Sequence, residues 1–307
     1  MMNILKFFFD PLVLAAMLRM AAPIIFVAIG GSFGHKAKVL NIGLESFLGI
    51  GAFFAMCGSY LTGSPWVGLL FGMLSSMLAS TIFALFVLYF KSNPIVTGIS
   101  LNLASWGITT FLLTVLFDVR GVFIDPRIQS FSGVTIPLIK DIPYIGAILN
   151  GHNILVFVSF LLVIISHIVM FRLPFGLRLR GVGIKEIAAQ TVGINTIRYK
   201  WIAILLGGLL SGIGGAFLTI GGASMFTEKI SSGRGFLALA AIMVGDGNPL
   251  KVLVACLVFG YTSALSVSLQ GFGIPSQIVE CVPYFATVLI LFASAMFRRE
   301  KGEKALS

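Results

Sequence analysis

The chain alternates long apolar runs with short polar breaks, and the runs are apolar on every side. Residues 66–90, 154–170 and 252–268 contain no Asp, Glu, Lys or Arg. They show neither the helical stripe nor the two-residue alternation that would leave one face in water. A helix that is apolar all round belongs in a large core or in lipid. About 20 such residues, at ~1.5 Å each, cross a hydrocarbon layer about 30 Å thick. Several runs of this kind in one chain decide for lipid. The pattern predicts spans near 12–33, 42–61, 66–90, 95–117, 153–171, 201–222, 235–246, 250–269 and 278–297. The seventh is too short to cross as a regular helix. It reads as a broken or re-entrant element covered by the others, the setting in which a bilayer tolerates free backbone groups. The expected fold is an all-α polytopic transmembrane bundle of about nine spans, one transmembrane domain over residues 1–307.

Composition agrees: 58% of the 307 residues are hydrophobic and 10% are charged, where a soluble domain carries about a quarter as charged residues. The net charge of +10 does not point to nucleic acid, because the basic residues form no patch interleaved with aromatics. They sit between the apolar runs. Segment 172–200 holds Arg172, Arg178, Arg180, Lys185, Arg198 and Lys200 against Glu186, and the tail holds Arg298, Arg299, Lys301 and Lys304. With Lys36, Lys38 and Lys91 these fall on one side if the nine elements alternate. The 118–152 loop on the other side balances Arg120, Arg127 and Lys140 with Asp118, Asp125 and Asp141. The positive-inside rule puts the first group in the cytoplasm. It implies an external N-terminus, a cytoplasmic C-terminus and a multi-pass place in a bacterial inner membrane. The N-terminal stretch, Lys6 followed by apolar residues from Leu12, lacks a cleavage site and reads as the first helix, not a signal peptide. Cys57, Cys256 and Cys281 are isolated, without CxxC or His/Cys ligand spacing, and read as packing residues. No cofactor or metal is expected.

Five stretches carry more than hydrophobicity. Asn41 and Glu45 stand four apart at a span entry, on one helical face. Ionisable groups in a span usually face a cavity or a partner. Equally, Asn41 suits a helix cap and Glu45 suits pairing with Lys36 or Lys38. Ser100, Asn102, Ser105 and Trp106 add polar and stacking groups in the fourth span, and with Asn41 and Glu45 they are the candidate pathway residues. Segment 175–194 contains one predicted short amphipathic helix, 184–192, ended by Gly193. Its apolar face between basic residues suits docking into a groove on a soluble partner. In segment 232–250, glycines bracket a small-residue helix with Gly-Asn-Pro at its end, and Arg234 sits at the outer mouth as substrate contact, partner contact or interface anchor. In the sixth span, Gly208, Gly212 and Ala216, and Gly207, Ser211 and Gly215, recur every four residues and read as close helix packing.

In this order and spacing the segments resemble the permeases of the simple-sugar and nucleoside branch of ABC importers, relatives of the branched-chain amino acid permeases. Asn41 to Glu45 is similar to that family's N-I-G-x-E, with Ser46 in place of the usual glycine. Gly176 to Ile194 resembles its cytoplasmic motif; Gly181, Ile184 and Lys185 depart from it, while Ala188, Ala189, Gly193 and Ile194 match. Residues 233–249 match G-R-G-[FW]-[IL]-A-L-A-A…G…N-P almost throughout, and 96–104 resembles the fourth-span region. The resemblance covers roughly residues 20–297. It implies a type II importer-like fold in which two permease subunits, identical or paralogous, form the pathway. A cytoplasmic ATP-binding subunit would dock on the 176–194 loop through Gly176, Arg178, Arg180, Glu186, Ala188, Ala189 and Gly193. An extracytoplasmic binding protein or lipoprotein would deliver the substrate, with nucleosides expected and a simple sugar or riboflavin as alternatives.

Two other classes compete. An ion-coupled secondary transporter places carboxylates or His near mid-membrane, and Glu45 is the one clear acidic candidate within a predicted span. A membrane enzyme is not supported: His35, His152 and His167 form no HExxH, and the chain has neither GxSxG nor GxxxxGK[ST]. ATP hydrolysis is therefore expected in a partner.

Overall fold

The computed structural model describes residues 10–135 and 144–270, together with Phe285, Val288 and Phe292. Seven helices among the described residues are long and apolar enough to cross a membrane. They are α1 (Pro11–Lys36), α2 (Leu44–Thr62), α3 (Pro65–Ala84, prolonged by a π-helical turn Leu85–Tyr89), α4 (Pro94–Phe117), α6 (Ile154–Phe171), α9 (Thr196–Ile220) and α11 (Pro249–Gln270). Between them lie the short helices α5 (Ile145–Leu149), α7 (Pro174–Ile184), α8 (Glu186–Thr191) and α10 (Arg234–Gly245). The first six expected spans and the eighth correspond to long helices. The seventh is the 12-residue α10, and the ninth, 278–297, lies outside the described residues apart from those three positions. The described residues form a helical membrane bundle with seven helices long and apolar enough to span.

Local chemistry sets the ends. Proline occupies the first helical position of α1, α3, α4, α7 and α11, where its missing N–H costs nothing. Asp10, Asn93, Asn153 and Asn195 cap α1, α4, α6 and α9, their side-chain oxygens accepting from Leu12, Ile95, Val156 and Arg198 amides at 2.8–3.2 Å. Two small antiparallel pairs organise the loops at one end. β1 (Val122–Ile124) pairs with β4 (Met225–Thr227), Phe123 opposite Phe226, and β2 (Gly133–Val134) pairs with β3 (His152–Asn153).

The helices α1, α2 and α9 form the centre, and the small-residue stripes of α9 make that possible. A Cβ on Gly212 would stand 2.4 Å from the Gly72 carbonyl oxygen, and one on Gly215 would stand 2.4 Å from that of Leu48. Backbone meets backbone there, as the four-residue spacing of small residues predicts. Phe26, Phe47, Phe53, Phe83 and Phe259 fill the remaining core. Helices α3, α4 and α6 turn Leu74, Leu78, Leu103, Phe111, Leu161 and Ile164 outward. Such faces suit lipid or a second subunit. Cys57 and Cys256 are free and buried, in keeping with packing roles.

One end of the bundle gathers Lys36, Lys38, Lys91 and the basic 172–200 segment; the other carries the paired strands. Helix α2 does not begin at the basic end. The Ser46 amide meets Asn102, which lies about 12 Å into α4 from that end, and Ser76, in the middle of α3, donates to the Phe47 carbonyl. The chain from Ala37 to Gly43 therefore descends into the bundle before α2 starts.

Candidate functional site

Two helices begin inside the bundle, and one carboxylate serves both. Glu45 is fully buried in the first turn of α2. Its Oε1 accepts from the Gly233 amide at 2.9 Å and its Oε2 from the Gly235 amide at 2.7 Å, the amides that open α10. Helix N-termini carry about half a positive charge each and favour an anion, so Glu45 neutralises two of them. Gly235 leaves room for this: a Cβ there would stand 2.6 Å from the Glu45 Cα and backbone nitrogen. The expected partners Lys36 and Lys38 are not Glu45's; Lys36 bonds elsewhere.

Asn41 and Asn102 shape the turn leading into α2. Asn41 Oδ1 accepts from the Gly43 amide at 3.0 Å, an Asx turn that starts two positions ahead of the N-cap, Gly43. Asn102 accepts from the Ser46 amide at 2.9 Å and donates to the Ile42 carbonyl at 3.1 Å. Gly98 packs its bare Cα on the Gly43 backbone. Ser105 donates to the Asn102 carbonyl at 2.9 Å, and Trp106 lies 5.3 Å under the Lys229 ammonium. Ser100 is exposed on the other face of α4. The structure thus brings Asn41, Glu45 and Asn102 together, with Ser105 and Trp106 further along α4, and leaves Ser100 apart.

At the basic end, α10 closes onto α1. Asp246, in the left-handed conformation after α10, has Oδ2 3.2 Å from Lys36 Nζ and Oδ1 3.3 Å from His35 Nε2. Burial opposes ionisation of Asp246, but the hydrogen bonds from His35 and Lys36 outweigh it and hold the carboxyl below its ordinary range. Helix α7 abuts the same corner, since a Cβ on Gly183 would stand 2.0 Å from the Lys36 carbonyl oxygen. A cavity of about 640 Å³ lies among these groups. The sequence reading does not single out His35, Lys36 and Asp246 as a cluster, because 210 residues separate Lys36 from Asp246.

The 175–194 segment is a pair of helices with a break at Lys185, so the short helix starts at Glu186, two residues later than expected. Its end is as expected. Gly193 has φ +81°, its amide bonds to the Gln190 carbonyl and the Ile194 amide to Ala189, the two bonds of a Schellman cap. Gly176 packs with no room for a side chain, a Cβ falling 2.3 Å from the Val169 carbonyl oxygen. Arg180 lies 4.6 Å over the Phe171 ring, Arg178 bonds the Tyr199 hydroxyl at 3.3 Å and Glu186 bonds Lys200 at 2.7 Å. That last bond holds the Glu186 carboxyl below its ordinary range. Ala189 is buried and Ala188 exposed. Ile184, Ile187 and Val192 are 85%, 72% and 73% exposed on a basic loop outside the seven apolar helices.

At the other end a cavity of about 730 Å³ runs from the 130–133 and 221–223 loops down to Arg234, with Arg19 on its wall. Arg234 donates to the Ile230 carbonyl at 3.0 Å. Arg19 is a residue that the sequence reading passes over; a lone guanidinium inside an apolar run is the signal that marks it.

A bundle of apolar helices with a broken helix at mid-depth, a vestibule at one end and a basic loop at the other defines a membrane permease. The family of branched-chain amino acid transport system permease components matches residues 13–293, and the chain belongs to that family. It is similar to the nucleoside ABC transporter permease protein NupC of Lactococcus lactis subsp. cremoris, 34% identical over 91% of both chains. It is also similar to the guanosine ABC transporter permease protein NupQ of Bacillus subtilis, again 34% identical over 91% of both. A putative glucose ABC transporter permease protein of Haloferax volcanii, TsgC13, is 24% identical over 95% of this chain and 94% of its own. No solved structure matches. The chain is a non-catalytic membrane subunit, and ATP hydrolysis belongs to a separate subunit.

Proposed function

We propose that this chain forms, with a second permease subunit, the pathway of an ATP-driven importer for nucleosides. The similarity to two permeases named for nucleosides and guanosine, along 91% of both chains, carries the substrate class. The charge bias between the two ends supports a cytoplasmic basic end and a vestibule that opens outward. On this reading the C-terminus is cytoplasmic and a binding protein delivers nucleoside to the 118–153 and 221–233 loops. The α7–α8 segment receives the ATP-binding subunit: Ile184, Ile187 and Val192 enter its groove, Arg178, Arg180 and Glu186 rim the contact, and Gly176, Ala189 and Gly193 set its shape. Asn41 and Asn102 set the turn into α2, from which Glu45 holds the broken α10 at mid-depth as a wall of the pathway, with Ser105 and Trp106 beside it and Ser100 toward the neighbouring subunit or lipid.

Uptake of radiolabelled nucleosides into proteoliposomes holding the permease, its ATP-binding subunit and its binding protein tests the function. ATP-dependent uptake suppressed by unlabelled nucleosides, and not by ribose, glucose or riboflavin, is expected. Uptake of sugar or flavin alone overturns the substrate, and saturable uptake without the ATP-binding subunit overturns the mechanism. For docking, Ala188→Glu places a charge on an exposed apolar face and should cut co-purification of the ATP-binding subunit at unchanged permease stability. Unchanged association would remove α8 from the interface.

A further inference from the structure

Among the described residues, the vestibule wall carries two guanidinium groups and no carboxylate. Arg19 stands about 12 Å along α1 from its start, inside an otherwise apolar helix. Its side chain is exposed, and none of the described residues bonds to it. A charge so placed is costly, and such residues face a cavity with a task. Its field is felt across the wall, where it helps keep the His152 imidazole neutral after burial has done most of that. Arg234 lines the same cavity from the first turn of α10, one of its guanidinium nitrogens donating to the Ile230 and Ser231 carbonyls. The nearby carboxylate, Glu45, is taken by the Gly233 and Gly235 amides. The apolar part of the wall includes Pro23 and Phe217, and Ser132 and Asn153 add neutral polar groups. A volume of about 730 Å³ is in the range that holds a small polar ligand.

A guanidinium has five donors and no acceptor. Two of them on one wall select ligands whose edge is rich in acceptors. Among nucleobases, guanine and hypoxanthine present O6 and N7 side by side, the edge that an arginine fork grips with two bonds, whereas adenine places an amino donor beside N7. We propose that Arg19 and Arg234 form a substrate subsite that reads the acceptor edge of an oxopurine base, so that guanosine and inosine pass in preference to adenosine. This rests on the nucleoside reading above.

The test is uptake by the full complex, with one preparation of binding protein in every arm, so that its own selectivity cancels between variant and wild type. Arg19→Gln is expected to lower kcat/KM for guanosine and inosine about tenfold, as loss of a bidentate base contact implies, with adenosine changed less than about threefold. Arg19→Lys, which keeps the charge and loses the fork, should fall between and guards against a folding defect in the first variant. 7-Deazaguanosine, lacking the N7 acceptor, should be a poor substrate for wild type and be affected little by Arg19→Gln. An equal loss for all nucleosides, with weaker apparent affinity for the loaded binding protein, would make the arginines docking groups for a carboxylate of that protein and overturn the subsite. An unchanged guanosine-to-adenosine ratio also overturns it, and leaves the nucleoside reading intact. A wild-type complex that takes up no nucleoside overturns both.

Discussion

Glu45 satisfies one buried and one half-buried amide and two helix N-termini with one carboxylate, and its substitution by an isostere should therefore be costly. In Glu45→Gln, one carbonyl oxygen remains to accept, and the new NH2 faces an N–H that it cannot serve. An unsatisfied buried donor costs about 1–3 kcal/mol, and loss of the anion at the helix ends adds a fraction of that or more. The expected outcome is a lowered unfolding temperature in detergent and a several-fold loss of uptake. The ATP-binding subunit should still bind, because the 176–194 loop is elsewhere. Wild-type stability in Glu45→Gln would show that the carboxylate is not what holds α10. At this scale the sequence identifies the residue and not its partner. Asn41 and Glu45 are visibly on one helical face, yet the amides that Glu45 holds lie 188 and 190 residues away. Backbone groups leave no side-chain signature, so Lys36 and Lys38 looked equally eligible. Arg19 was legible in isolation, as a charge in an apolar run. Its cavity was not.

At the scale of elements, the ends that local chemistry sets were legible and those set by tertiary contact were not. Gly193 announces the end of α8, because an αL position after a short helix calls for glycine. The break at Lys185 has no such mark: Lys185 is extended, with φ −150° and ψ 98°, where α7 gives way to α8. The β2–β3 pair shows the same contrast, since nothing in His-Asn alone predicts a two-residue strand. It also makes a pH prediction. His152 Nε2 lies 2.7 Å from the Ile148 carbonyl; a carbonyl only accepts, so Nε2 carries the hydrogen and Nδ1 is left bare, as in neutral imidazole. Burial first, then the Arg19 charge, hold its pKa below the ordinary value, against the pull of the Ile148 hydrogen bond. The unfolded segment takes up a proton near pH 6.5, which the folded one refuses until lower pH. The stability of this loop is therefore full above about pH 6.5 and declines as pH falls below it. Hydrogen exchange of residues 130–135 and 144–153, corrected for intrinsic rates, should rise between pH 7.5 and pH 5. His152→Gln, which keeps a donor for Ile148, should flatten the change. A pH-independent pattern in the wild type would mean that His152 is protonated, or that its loop opens freely.

Across the whole molecule, glycines separate a frame from a surface. The order and identity of the apolar runs gave the spans, because lipid imposes one length and one chemistry on each. The stripes of α9 gave close packing without saying against what, and the answer is three helices at once: α1 at Gly30 and Gly207, α2 at Leu48 and Gly215, α3 at Gly72 and Gly212. This junction lies beside the starts of α2 and α10, the two helices that begin inside the bundle, so its spacing fixes where Glu45 meets α10. A methyl on Gly212 would stand 2.4 Å from the Gly72 oxygen and 2.7 Å from the Met73 Cα. Neither atom can yield without moving a helix, and overpacking of this kind costs about 1–3 kcal/mol. A methyl on Gly107 of α4 meets nothing within 4 Å, and removing a mid-helix glycine adds roughly 0.5–1 kcal/mol of stability. Gly212→Ala should therefore lower the unfolding temperature and reduce uptake, while Gly107→Ala should leave both unchanged or slightly raised. The pair is a test of the frame, since each variant adds the same methyl to a helix of the same bundle. Equal tolerance at both positions would mean that α3 and α9 are not in backbone contact. Loss of uptake in Gly107→Ala at normal stability would place the second permease subunit against the face of α4 that this chain leaves open.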